Sequence, residues 1–152
     1  MIMIKPPHPI EVSTASIFLA GSIAQDKAQK WQDYLTDQLS NTSFTILNPR
    51  RESWDSSWQQ IKAFEPFREQ VEWELEGLEV ADLIIMYFDP STQSPISLLE
   101  LGLYAQSKKL VVCCPEGFWR KGNVDIVCER YGVPQVEQLD DFIPYIDAFL
   151  GK

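Results

Sequence analysis

The sequence predicts an α/β protein built on a doubly wound parallel sheet of five strands, with helices on both faces. Three observations point there. Short apolar runs without polar alternation recur along the chain, as expected of strands covered on both sides. Stretches with helical 3–4 residue spacing separate them, so strand and helix alternate. The loops after the strands hold the unusual residues, which is where such sheets carry their sites. Five strands in this rhythm suggest the flavodoxin-like order 2-1-3-4-5. Right-handed crossovers then set the first and third strands side by side, where the winding reverses.

Taken in order, residues 1–13 (MIMIKPPHPIEVS) are Pro-rich and read as an irregular arm over a sheet edge or a neighbouring subunit. Residues 15–20 (ASIFLA) form the first strand, and Gly21 permits a tight turn or a close ligand approach. A helix is expected over 26–39, with Ala28, Trp31, Leu35 and Leu39 on one face. The second strand is 43–47 (SFTIL). The polar, aromatic segment 48–58 (NPRRESWDSSW) after it is either a ligand-facing loop or a surface loop anchored by its tryptophans. Pro66 suits the first turn of a helix over 66–80, with Val71, Leu75 and Leu78 inward and most of its glutamates solvated. The third strand, 82–88 (DLIIMYF), is apolar throughout and therefore central. A helix over 96–106 follows, then a fourth strand over 109–114, a short helix over 124–130 and a short strand over 133–136. The closing helix, 139–150, holds Pro144 as a kink or a late start.

The chain has 152 residues, which suits one domain, and 45% hydrophobic residues, enough for a sizeable core. A net charge of −9 argues against a nucleic-acid binder, which needs clustered Lys and Arg. Cys113, Cys114 and Cys128 show no metal-ligand spacing, and the one histidine, His8, lies in the Pro-rich arm. Sparse, odd-numbered cysteines fit a reducing cytoplasm. Neither a signal peptide nor an apolar run of membrane-spanning length is evident, so a membrane role is not expected.

The first loop carries one glycine and lacks both GxGxxG and a P-loop lysine, so nicotinamide or ATP chemistry is poorly supported. The carboxylates are more informative. Glu74 precedes the third strand, Asp89 follows it, and Glu100 lies on the next helix among Leu98, Leu99, Leu101 and Leu103. Those leucines are expected to hold the helix against the sheet. Carboxylates converging on one crevice suit a retaining glycosyl transfer, in which two such groups stand about 5 Å apart. One attacks the anomeric carbon, and a protonated group assists the leaving group.

Five segments carry a resemblance: IFLAGSI, NPRRESWDSSW, WELEGLEVADLIIMYF, SPISLLELGLYAQSKKLVV and FWRKGNVDIV. In order and placement they are similar to the nucleoside 2-deoxyribosyltransferase family, over roughly residues 17–131. The resemblance implies a base exchange on 2′-deoxynucleosides with a free purine or pyrimidine base, without metal or organic cofactor. Glu100, in the ELG signature, matches the family's nucleophile. Glu74 aligns with a carboxylate near the sugar or base, and Gly21 with the glycine of the first turn. Asn123 matches an asparagine that reaches the 5′ side of the sugar from a neighbouring chain, which implies a homo-oligomer with a shared site. Further candidate substrate contacts are Ser22, Asn48, Arg50, Trp54, Asp55, Ser97 and Asp125. The family's first-strand tyrosine is Ile17 or Phe18 here, and its aspartate six residues before the nucleophile is Ser94. Asp55, Asp89 and Tyr87 are the candidates to replace them.

The chemistry stands on its own as well. A 2-deoxyribose lacks the electron-withdrawing 2-hydroxyl, so positive charge develops easily at its anomeric carbon. A carboxylate below the ring captures it as a glycosyl ester, and an incoming base displaces that ester with net retention. A dry pocket suppresses hydrolysis but raises the carboxylate's pKa, so Ser22 and the amides at the helix start are expected to keep Glu100 ionised. Two rivals remain: a hydrolase of 2′-deoxynucleoside 5′-monophosphates, and a noncatalytic nucleotide-sensing domain.

Overall fold

The computed structural model describes residues 1–23 and 30–151. Its elements are β1 (Ile2–Ile4), β2 (Ser16–Gly21), α1 (Trp31–Gln38), β3 (Thr45–Leu47), α2 (Glu65–Val80) and β4 (Leu83–Tyr87). Then come α3 (Pro95–Tyr104), β5 (Leu110–Cys113), α4 (Lys121–Tyr131), β6 (Gln135–Val136), a 3₁₀ turn (Leu139–Asp141) and α5 (Phe142–Leu150). The strands form one parallel sheet in the order β1-β3-β2-β4-β5-β6. Without β1 this is the order expected from the sequence. β2 and β4 lie side by side, from Ile17 beside Leu83 to Gly21 beside Tyr87.

The sheet has six strands rather than five, because the arm is not irregular. Its residues Ile2–Ile4 pair with β3, Ile2 beside Thr45 and Ile4 beside Leu47. Three residues are too few to show a period, and the prolines after them hide the run. The arm then crosses α2, where the Trp73 indole donates to the His8 carbonyl at 2.8 Å.

Side chains alternate across the strands and divide the core into two layers. Phe18, Ile84, Met86 and Val112 face Trp73 and Leu78 of α2, Leu101 of α3 and Val124 of α4. Ile17, Leu19, Ile85 and Val111 face Trp31 and Leu35 of α1 and Phe142 and Ile146 of α5. Cys113 belongs to the second layer and Cys114 to the first, and both are buried. Asp82 fixes the register at the sheet's centre: its carboxylate accepts from the Ser16 amide and hydroxyl, each at 2.9 Å.

The helices differ from expectation in their faces more than in their places. Residues 24–29, the expected start of the first helix, lie outside the described residues; the described helix begins at Trp31. On α2 the buried face is Gln70, Trp73, Gly77 and Leu78, while Leu75 is exposed. On α3, Leu101 is buried and Leu98 partly so, but Leu99 and Leu103 are 60% and 58% exposed, so only half of the leucines hold that helix to the sheet. Pro144 stands in the first turn of α5, where no N–H is required. Lys109 closes α2 by donating to the Glu79 and Ala81 carbonyls at 2.7 and 2.9 Å.

Candidate active site

Gly21 ends β2 with φ at +127°, a conformation open to glycine. A side chain there would meet the Tyr87 carbonyl at 2.2 Å, so β2 and β4 stay close enough to feed one crevice. Ser22 follows and organises the loop after β4. Its hydroxyl accepts from the Asp89 amide at 2.9 Å and lies 2.9 Å from the Thr92 hydroxyl and 2.6 Å from that of Ser94. Thr92 and Ser94 are 2.7 Å apart, and Thr92 donates to the Asp89 carbonyl at 2.9 Å. One of the three hydroxyl protons is thus spent on that carbonyl, leaving two for three mutual contacts. Ser94, in the left-handed region at φ 47°, then turns the chain into α3.

Two turns into α3 stands Glu100, buried and 8% exposed. Burial raises its pKa to about 8, and the nearby charge of Glu74 adds to the rise. Glu74 projects from α2 toward it. Burial raises Glu74 to about 7, held down by a hydrogen bond from the Gln70 side chain. That amide donates to Glu74 at 2.7 Å and to the Pro49 carbonyl at 2.8 Å. The two carboxyls stand on different helices, close enough for the charge of Glu74 to raise Glu100, so like charges resist joint ionisation.

The expected donors do not reach Glu100. Ser22 is engaged with Asp89, Thr92 and Ser94, and Glu100 lies beyond the first turn of α3 with no donor among the described residues. Asp89 shapes its own loop, accepting from the Ser91 amide and hydroxyl at 2.8 and 2.6 Å, and its charge presses on Tyr87. Tyr87 packs against Trp31 in the opposite layer, its ring 5.6 Å away. Of the positions standing for the family's tyrosine, Ile17 faces α1 and α5, while Phe18 faces α2 and packs on Trp73. Ser97 is buried one turn before Glu100.

The segment after β3 is anchored by its aromatics. Trp54 packs on Trp58 at 5.0 Å, Trp58 on Phe64 at 6.1 Å, and Arg51 lies over Trp58 while pairing with Glu69 at 2.7 Å. Asp55 is exposed, and hydrogen bonds from Ser57 lower its pKa. Asn48 is fully buried; its side-chain oxygen accepts from the Arg50 amide at 3.0 Å, and its side-chain nitrogen has no partner among the described residues. Arg50 is thus placed at the loop's root, beside Pro49 and the Gln70 contact.

On the far side of α3, a groove of about 300 Å³ runs between α3 and α4, lined by Leu98, Leu101, Gly102, Arg120, Asn123 and Val127. Glu100 and Glu74 are not part of its wall. Asn123 is exposed there. Asp125 is tied locally, to Lys121 at 3.1 Å and to Gln135 at 2.9 Å. Gln70 and Thr92 escaped sequence reasoning. The signal for Gln70 was its spacing of four residues before Glu74 on a helix.

No helix among the described residues is long and apolar enough to cross a membrane. Among curated proteins no significant match is found. The family model described as "Nucleoside 2-deoxyribosyltransferase like" matches residues 14–118, a span that holds Gly21, Glu74 and Glu100. With more than half of the chain matched, and with a parallel sheet that brings the ELG glutamate to a second carboxyl, the protein belongs to the nucleoside 2-deoxyribosyltransferase-like family.

Proposed function

We propose that the chain acts as one domain that exchanges the base of 2′-deoxynucleosides through a 2-deoxyribosyl ester on Glu100. The observation that carries the reading is the convergence of Glu100, buried on α3, with Glu74 of α2, whose carboxylate the Gln70 amide holds at 2.7 Å and whose charge acts on Glu100. With the proton on Glu74, Glu100 is the ionised nucleophile and Glu74 the acid that serves the leaving base. The base departs with that proton, and the Glu100 carboxylate forms the C1′ ester. The incoming base attacks C1′, breaks the ester and loses its own proton to Glu74. Glu100 is raised further than Glu74, so the free protein favours the proton on Glu100; a cation developing at C1′ favours ionised Glu100, and the substrate thereby directs the proton to Glu74.

The sites are completed by a second copy of the chain. Ile96, Leu99 and Leu103 form an apolar stripe along α3, each close to 60% exposed, and Ile126 and Trp119 extend it. Asn123 is exposed on α4, one turn before Ile126, which supports its entering a neighbour's site. The hydrolase reading is less favoured, because a 5′-phosphate needs donors, and the protons of Ser22, Thr92 and Ser94 are spent on one another and on Asp89.

The test is incubation with one deoxynucleoside and one free base of another kind, with a no-acceptor control and a deoxynucleoside monophosphate arm, followed by chromatography. A new deoxynucleoside, lost in Glu100→Ala, supports exchange. Free base released only from the monophosphate supports the hydrolase. No turnover of either, with binding retained in Glu100→Ala, supports a sensing domain. A 2-fluoro-2-deoxy substrate analogue is expected to label the Glu100 peptide; labelling elsewhere would overturn the assignment.

A further inference from the structure

Gln70 carries the same four-residue helical relation to Glu74 that salt-bridged pairs use, but with a neutral amide. It is 5% exposed on the buried face of α2. The Pro49 carbonyl accepts hydrogen bonds and cannot donate them, so the group 2.8 Å from it must be the amide nitrogen. This fixes the amide's orientation from outside the carboxyl pair. The same nitrogen then spends its second proton on one oxygen of Glu74, Oε1, at 2.7 Å. Oε1 is thereby an acceptor, and any proton Glu74 holds lies on Oε2. The amide oxygen of Gln70 is buried without a partner among the described residues, so this orientation is kept at the cost of an unmet acceptor.

We propose that Gln70 is a positioning residue that, anchored by the Pro49 carbonyl, fixes the oxygen of Glu74 that can carry the proton and keeps that proton available to the leaving base. The inference rests on the exchange reading for its catalytic meaning, but its physical content does not need turnover. Among the described residues, the groups that act on Glu74 or respond to it are Gln70 from its own helix and Glu100 from α3. The segment after β3 contributes the Pro49 carbonyl, and its Arg51 is paired with Glu69. Gln70 supplies the hydrogen bond that opposes the effect of burial on Glu74. Without that bond Glu74 would hold its proton more tightly and release it to the departing base less readily.

The experiment is a carboxyl ¹³C NMR titration of Glu74 and Glu100 in the full chain, wild type against Gln70→Met, which keeps the volume and removes the donor. Gln70→Ala, which admits water to Pro49, is the second variant. The Glu74 midpoint is expected to rise by about one pH unit in Gln70→Met, the worth of one charge-assisted hydrogen bond. The alkaline limb of kcat for base exchange is expected to move with it, while KM changes less than about 2-fold. A Glu74 midpoint that stays or falls in both variants, or a shift confined to Glu100, overturns the proposal. A shifted midpoint in a protein without exchange activity sustains it as a statement about the pair and overturns the functional reading alone.

Discussion

Phe18 lies against Gly77 with no room for a methyl group between them. A Cβ on Gly77 would sit 2.6 Å from the Phe18 ring. The contact sets how closely α2 approaches the centre of the sheet, and so where Glu74 stands relative to α3. Gly77→Ala is expected to cost about 1–3 kcal/mol by overpacking, read from urea unfolding, and to lower kcat as α2 is pushed outward. An alanine variant of undiminished stability and activity would mean that α2 is not seated by this contact.

The carboxyl pair makes stability depend on pH with a defined sign. Glu74 and Glu100 have folded-state pKa values of about 7 and about 8, above the unfolded value of about 4.3. Between the unfolded and folded values the native state holds protons that the unfolded state lacks, so stability falls as pH rises. It is fully present below about pH 4 and lost through about pH 8. Glu100→Gln removes one titrating group and relieves Glu74. Its melting temperature is expected to fall less than that of wild type from pH 5 to 9, with a relative gain on the order of 2 kcal/mol at the alkaline end. Parallel curves for the two proteins would count against a raised Glu100.

How much of this was legible in the sequence differs by element. The central strands β2, β4 and β5 were plain because strands covered on both faces are continuous apolar runs. β1 was not, since Ile2–Ile4 is short and lies beside prolines. Glu100 stood out through the leucines around it, yet those leucines misled. Leu99 and Leu103 point outward, and the sequence does not separate a sheet-facing leucine from an exposed one. Thr92, an ordinary loop threonine in the sequence, gains meaning only when the sheet brings Ser22 to it across 70 residues of chain, beside its near neighbour Ser94.

The outward leucines give the proposed second copy of the chain its test. Leu99→Glu places a charge in the middle of the α3 stripe and is expected to shift the protein to monomers in sedimentation velocity, with exchange falling at least about 10-fold if Asn123 serves a neighbour. Wild-type protein that sediments as a fully active monomer would rule that sharing out.

The buried hydroxyl cluster carries weight without touching the carboxyls. Ser22→Ala strips the Asp89 amide of its acceptor and is expected to cost about 1–3 kcal/mol in denaturant unfolding. A neutral result would mean that water replaces the hydroxyl.

Cys113 and Cys114 are neighbours in sequence and strangers in space. A strand turns successive side chains to opposite faces, so the sheet stands between the two sulfurs. What reads as a vicinal dithiol is two separate, inert thiols, both pushed up to about 12 by burial. Arsenicals that bridge adjacent cysteines should find no purchase on the native fold, and maleimide should titrate these two sulfurs only after unfolding. The protein can therefore be handled in air, and exposed cysteines can be engineered into it for labelling without the native thiols competing.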